Sequence, residues 1–438
     1  MSGIAFVLLN RGFRVTGSDL KESKLIRKLK ALGAKVYIGH DKKNIDKSTD
    51  LVVISSAIPE NNPEIVQARK FGIPIKKRSE ILGELMRDKF GVAIAGTHGK
   101  TTTTTMISLI CDEAKFDPTV LIGGEVKNIG GNFSVGGGDY FIVEACEYDR
   151  SFLDLFPKAA VITNIEADHL DYYRDLKEIV AAFSEFVRKI PKEGLLVACF
   201  DDPNVKKVAR SARAKVISYG FSKGCDWQAE IQEVLPGKTT FIIHNHKDLG
   251  RFTLKIPGTH NILDATAAVA LTMAIGVSPA IAKKVLAKFA GADRRFQIKG
   301  KKDGVVVIDD YAHHPTEIRA TLAGARQFYP RERIVCVFEP HQYSRTRLLL
   351  SEFAQSFNDA DLVIIPDIYR VRDSDEEIKK INAKILVENI KKYNPNVRYI
   401  AKYDEIVKFL QQELKPGDVL FTMGAGNIYK VGEKILLE

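Results

Sequence analysis

Gly96-Thr97-His98-Gly99-Lys100-Thr101 is the stretch of this 438-residue chain whose residue types and spacing most plainly serve a reaction. It follows the apolar run Gly91-Val92-Ala93-Ile94-Ala95, which predicts a buried strand. It leads into a threonine-rich, then apolar run to Ile110, which predicts a helix. Glycines at such a turn let backbone N–H groups curl around phosphates, and the helix N-terminus adds partial positive charge. Lys100 can reach the β- and γ-phosphates, and Thr101 can offer its hydroxyl to Mg²⁺. The loop is a variant, because Ile94 stands where common phosphate loops carry a further glycine.

A magnesium ion needs more than one oxygen. Glu144 lies at the end of the predicted strand Tyr140 to Val143, and the next predicted strand ends at Asn164-Ile165-Glu166-Ala167-Asp168-His169-Leu170-Asp171. In open α/β sheets ligands sit beyond the carboxyl ends of strands, so Asp, Glu and His of these segments are candidates for the same crevice. Further on, Asp309-Asp310-Tyr311-Ala312-His313-His314-Pro315 and Phe338-Glu339-Pro340-His341-Gln342-Tyr343-Ser344-Arg345-Thr346 each follow a predicted strand. Neighbouring residues of an extended chain point to opposite sides, so joint metal ligation by His313 and His314 is disfavoured and substrate or phosphate contact preferred. Arg345 and Arg347 suit a carboxylate or a phosphate. Arg294-Arg295-Phe296-Gln297 falls at a predicted domain junction, where clefts form.

The elements that position these residues alternate between strand and helix, and the chain divides into three α/β segments, 1–90, 91–297 and 298–438. In the first, short strands end near Gly17-Ser18-Asp19 and Ser55, with a Rossmann-like rhythm. The second carries the phosphate loop, a β-rich stretch from Asp226 to Ile256 and an alanine-rich helix beginning near Asn261. The third has strands at Val305–Asp309, Ile334–Phe338, Leu362–Pro366 and Val419–Met423. The first segment is unusual in starting with the helix-like run Ile4–Asn10, without the strand and glycine-rich turn that ordinarily open a doubly wound domain.

Apolar residues make up 45% and charged residues 27%, as in a soluble globular protein. There is no run long enough to span a bilayer and no signal-peptide pattern. Five scattered cysteines without a C-x-x-C pair speak against a disulfide framework or zinc knuckle and for a reducing cytoplasm. The net charge of +10 fits attraction to anions, but no helix-turn-helix, RNA-recognition or basic–aromatic pattern points to nucleic acid.

In their order along the chain these pieces resemble the Mur ligases over essentially the whole sequence, and most closely the members that add L-alanine. The resemblance implies three domains: a Rossmann-like N-terminal domain for a UDP-sugar, a central P-loop ATPase-like domain, and a Rossmann-like C-terminal domain for the amino acid. It implies ATP contacts at Gly96 to Thr102, with Thr97, His98, Gly99, Lys100 and Thr101 in the loop, and at His260, Asn261, Arg295 and Asp309. Thr101 and Glu144 would hold one Mg²⁺ and His169 a second, with Lys100, Glu144, His169 and Arg295 as the catalytic set. UDP-N-acetylmuramate and L-alanine would meet Ser18, Asp19, Ser55, Ser56, Tyr311, His313, His341 and Arg345. The implied reaction activates the sugar's lactyl carboxylate as an acyl phosphate, which the alanine amine then attacks. Alternatives are the muropeptide-recycling relative, which joins a tripeptide to the same sugar, and a P-loop module that binds nucleotide without catalysis. The stretch His341 to Thr346 favours the alanine branch; oligomeric state is not legible. Three positions depart from the pattern. Of the family's glycine-rich turn only Met1-Ser2-Gly3 matches, so a further strand and turn upstream of Met1 are expected. Asp264 stands where asparagine is frequent, and Asn427 where aspartate is usual.

Overall fold

The computed structural model describes residues 1–126, 131–371 and 373–437. Its centre is a ten-stranded sheet. Seven neighbouring strands run parallel, in the order Trp227–Leu235, Lys215–Gly220, Leu195–Cys199, Ala159–Ile162, Phe90–Ala95, Tyr140–Glu144 and Thr119–Val126. One edge is extended by Lys238–Asn245 and Lys247–Leu254, each antiparallel to the strand before it, and the other by Gly131–Ser134, also antiparallel. Phe90–Ala95 reads as an unbroken apolar run because a parallel strand with helices on both faces has no solvent side. Two cores cover the two faces, one around Met106, Ile110, Trp227 and Leu271, the other around Phe141, Phe152, Phe183 and Phe186.

The order of strands explains why the candidate residues meet. Phe90–Ala95 lies between Tyr140–Glu144 and Ala159–Ile162, with Ile94 opposite Glu144 and Ala95 opposite Ile162. The phosphate loop, Glu144 and the Asn164–His169 segment therefore leave three adjacent strands at the same end. The chain leaves Phe90–Ala95 for Thr119–Val126 on one side, and later crosses from Tyr140–Glu144 past it to Ala159–Ile162 on the other; a crevice at such a reversal is where these sheets bind ligands.

The helix after the loop, Lys100–Glu113, contains a run of five threonines, a poor helix-forming sequence. Most of this run is buried, and hydroxyls of Thr104 and Thr105 each donate to the carbonyl four residues back at 2.7 Å. Those bonds satisfy the side chains without leaving the helix.

The C-terminal sheet has the order Gln297–Lys302, Val305–Asp310, Val419–Met423, Ile334–Phe338, Leu362–Ile365 and Val397–Tyr399. Its first pair is antiparallel and the rest are parallel. Here too the central strand, Val419–Met423, separates the two that lead into candidate segments. The first region holds two separate parallel pairs, Thr16–Asp19 with Lys35–Ile38 and Val52–Ile54 with Ile75–Lys77. Its helix Ser2–Asn10 packs Ile4 and Val7 into the central core, and a Cβ on Gly3 would lie 2.7 Å from Leu121 Cδ2. Among the described residues no helix is long and apolar enough to cross a membrane.

Candidate active site

Two glycines shape the phosphate loop. Gly96 has φ +134° and a Cβ there would stand 2.0 Å from Thr163 Oγ1; Gly99 has φ +83° and a Cβ there would stand 2.5 Å from Asp264 Oδ1. Both positions combine left-handed backbone with no room for a side chain. The neighbouring strand end buttresses the loop. His98 N donates to Asn164 Oδ1 at 2.8 Å, Thr163 Oγ1 donates to His98 O at 2.5 Å, and Glu166 N donates to Thr97 Oγ1 at 2.9 Å.

Lys100 folds back over the loop. Its Nζ donates to Thr97 O at 2.9 Å, to Gly96 O, and to both carboxylate oxygens of Glu147 at 3.0 and 3.1 Å. Burial by itself lowers the ammonium's pKa, but the Glu147 carboxylate outweighs it and the pKa lies above the ordinary lysine value. The lysine is thus held charged beside the loop. Glu147 also lies 3.7 Å from His169 Nε2, so this buried carboxylate joins two of the expected residues. It was not singled out from sequence; its signal was a second carboxylate three residues after Glu144.

Glu144 is enclosed, and burial raises its pKa against hydrogen bonds from Gly123 and Thr101. A Cβ on Gly123 would sit 2.7 Å from Glu144 Oε2, so only glycine admits the carboxylate there. Glu144 Oε1 and His169 Nδ1 are both buried without a hydrogen-bond partner. His169 is held at φ +52°, a left-handed conformation unusual outside glycine. Buried, unsatisfied donor atoms beside a phosphate loop fit a bound cation, since leaving them unpaired costs free energy.

Across the seam, the C-terminal domain presents Glu317 at the first turn of the helix Pro315–Phe328. Glu317 Oε1 lies 3.1 Å from His98 Nδ1 and 3.6 Å from Arg295 NH1, and its Oε2 accepts from His313 N at 3.0 Å. Burial alone would raise its pKa; the facing His313, His98 and Arg295 drive it well below the ordinary value. Arg295 also covers the Tyr311 ring at 5.2 Å. Glu166 Oε2 accepts from Thr316 Oγ1 at 2.7 Å, and His314 Nε2 lies 3.2 Å from Ala167 O.

Arg345 is buried, and donates from Nε and NH2 to Asp168 Oδ1 at 3.2 and 2.9 Å. Burial opposes ionisation of Asp168, yet the Arg345 guanidinium holds its carboxyl well below the usual range. Arg345, expected to meet a substrate carboxylate or phosphate, is in this arrangement paired with Asp168 of the central domain. Arg347 pairs instead with Glu377 at 2.9 Å on the surface. His341 stacks on Tyr369 at 5.6 Å and meets His313 edge-on at 6.1 Å, and Tyr311 meets His313 at 5.4 Å. These rings and Arg345 gather beyond Val305–Asp310 and Ile334–Phe338.

Other expected residues lie apart from this cluster or play a local part. Asp309 is buried in an internal pair, 2.8 Å from Arg294 Nε and 2.9 Å from Thr422 Oγ1, while Asp310 is the one whose charge faces Arg295. His260 and Asn261 open the helix Thr259–Ala274, with Asn261 Nδ2 donating to Pro257 O at 2.6 Å. Burial lowers the His260 pKa to about 4, so it is neutral. Thr102 is buried in the helix after the loop. Ser18 donates to Glu64 Oε2 at 2.6 Å at the end of Thr16–Asp19, beside Asp19, and Ser55 and Ser56 follow Val52–Ile54. All four belong to the first region.

Three family models match the chain: "Mur ligase family, catalytic domain" over residues 1–90, "Mur ligase middle domain" over 94–272 and "Mur ligase, glutamate ligase domain" over 294–426. A UDP-N-acetylmuramate–L-alanine ligase of Caldanaerobacter subterraneus is 47% identical over all of this chain and 95% of its own length. The enzyme of the same name from Clostridium novyi is 46% identical over all of this chain and 94% of its own length. Among solved structures, the UDP-N-acetylmuramate–alanine ligase of Thermotoga maritima superposes with a TM-score of 0.83 at 29% identity. That match covers 100% of this chain and 96% of the other. A murein peptide ligase of Psychrobacter arcticus gives 0.72 at 25% identity, with the same coverage.

Proposed function

The chain belongs to the Mur ligase family, and from that premise we propose that it joins the amino group of L-alanine to the lactyl carboxylate of UDP-N-acetylmuramate in peptidoglycan precursor synthesis, converting ATP to ADP and phosphate. The observation that carries the reading is the meeting of two half-sites. A phosphate loop with a charged lysine lies on one side of the seam. Arg345, His313 and His341 lie on the other, joined to the first side through Asp168 and Glu317.

In the first step a lactyl carboxylate oxygen attacks the γ-phosphorus and ADP leaves. Lys100 and the loop N–H groups hold the transferring group and offset its charge. In the second, the alanine nitrogen attacks the acyl carbon, the bond between that carbon and the phosphate-bridging oxygen breaks, phosphate departs with the oxygen, and the amine loses a proton. Thr101 and Glu144 would hold one Mg²⁺ and His169 a second; bound there, the ions would neutralise phosphate charge. Arg295, facing Glu317 and Glu144, adds positive charge at the junction. The first region takes the UDP-sugar at Ser18, Asp19, Ser55 and Ser56, and the C-terminal domain takes alanine among Tyr311, His313, His341 and Arg345. The seam contacts exclude water, which would otherwise hydrolyse the acyl phosphate.

The test is phosphate release from ATP with each substrate omitted in turn. Release that requires both UDP-N-acetylmuramate and L-alanine supports the reading. Release with L-alanyl-D-glutamyl-diaminopimelate but not with L-alanine would assign the recycling reaction, and release without either acceptor would leave only an ATPase.

A further inference from the structure

We propose that His98, Glu166 and His314 form a binding site for a zinc-type divalent ion at the seam between the central and C-terminal domains. This site is separate from the magnesium positions beside Lys100. The three side chains come from three elements: the phosphate loop, the segment after Ala159–Ile162, and the N-cap of the helix Pro315–Phe328. His98 Nε2 lies 3.3 Å and His314 Nδ1 3.7 Å from the same oxygen, Glu166 Oε2. All three ligand atoms fall within 4.8 Å of one another, and they are the one such group of three among the described residues. Ligands about 2.0–2.2 Å from a tetrahedral ion stand roughly 3.3–3.5 Å apart. One separation already matches, and small side-chain rotations close the rest.

The donor set selects the ion. Two imidazoles and one carboxylate suit zinc, cobalt or nickel, while magnesium prefers oxygen alone. The surroundings supply what metal-bound histidines use. Each ring has its other nitrogen engaged, His98 Nδ1 by Glu317 at 3.1 Å and His314 Nε2 by Ala167 O at 3.2 Å. Thr316 Oγ1 holds the carboxylate at 2.7 Å. Such outer partners fix the tautomer and orient the ligand. An ion displaces two contacts, the hydrogen bond between His98 Nε2 and Glu166 Oε2 at 3.3 Å, together with its proton, and the Thr316 N–H to His314 Nδ1 at 3.3 Å. Because the ligands come from both sides of the seam, the ion binds the closed arrangement and clamps it.

The experiment uses the full chain in saturating Mg²⁺. It titrates Zn²⁺ against a chromophoric chelator and Co²⁺ by its visible absorption. The proteins are the wild type, Glu166→Gln, His314→Asn, which keeps a good helix N-cap, and Glu144→Gln, which alters the magnesium position. Expected is a single Zn²⁺ site in wild type and Glu144→Gln, with affinity reduced at least on the order of tenfold in the other two. Removing even an outer-shell partner costs about that much. The proposal is overturned if wild type shows no site, if the site disappears in Glu144→Gln, or if Glu166→Gln and His314→Asn both bind as wild type does.

Discussion

Replacing Asp168 by asparagine tests whether the seam couples the two half-sites. Asp168 and Arg345 are each 8% exposed, and two guanidinium N–H groups converge on the single oxygen Oδ1 at 2.9 and 3.2 Å. Removing one partner of a buried ion pair strands the other charge and costs about 3–5 kcal/mol. Asparagine keeps an acceptor oxygen in place, so the loss falls to about 1.5–3 kcal/mol, the range of a hydrogen bond to a charged group. At 1.4 kcal/mol per tenfold, that is roughly 10- to 150-fold. The pair spans two domains, so the loss falls on closure: kcat/KM for L-alanine drops by that factor while ATP binding to the central domain changes little. The assay is coupled ADP release at varied L-alanine, for wild type, Asp168→Asn, Arg345→Gln and the double variant. The double variant should be no worse than the poorer single, because each single change already breaks the pair. Strictly additive losses, with coupling below about 0.5 kcal/mol, would refute the coupling. So would an Asp168→Asn enzyme within threefold of wild type.

Lys100→Ala should lower ligation by at least roughly 10²–10³-fold, the cost of removing one preorganised charge-stabilising donor, with an unchanged far-ultraviolet circular dichroism spectrum. Gly123→Ala should raise the magnesium concentration needed for half-maximal rate, since its methyl would displace Glu144; an unchanged magnesium titration would remove Glu144 from the metal site. Glu144→Ala and His169→Ala should shift the same titration the same way. Asp264 gives a pH signature. Burial pushes its pKa up to about 8, above the ordinary 3.8. The folded state therefore holds this proton more tightly than the unfolded chain, and Asp264 penalises folding increasingly as pH rises from about 4 through 8. Asp264→Asn should raise the melting temperature more at pH 8 than at pH 5, as differential scanning calorimetry would show; equal shifts at both would contradict the buried, unpaired carboxyl.

Much of the fold was legible because its signals are local. Parallel strands buried on both faces are continuous apolar runs, and Leu195–Cys199, Ile334–Phe338 and Val419–Met423 have the bounds their hydrophobicity predicts. The phosphate loop was legible because glycine spacing, a lysine and a threonine act together within six residues, and Glu144 because strand ends face ligands. The assignment of partners was not. His98 and Glu317 are 219 residues apart in the chain and 3.1 Å apart in space. Nothing in either neighbourhood encodes that meeting, because an ion pair depends on where two domains dock. Arg345 looked like a free hand for a substrate carboxylate and is held by Asp168; Asp309 looked like a nucleotide contact and is held by Arg294. Glu147, three residues after Glu144, stands between Lys100 and His169. The sequence by itself determined at which strand ends the candidate groups sit, since backbone geometry over a few residues sets that. Only the tertiary structure decided which charges are paired, because burial and charge compensation are properties of the packed interface and of no single segment.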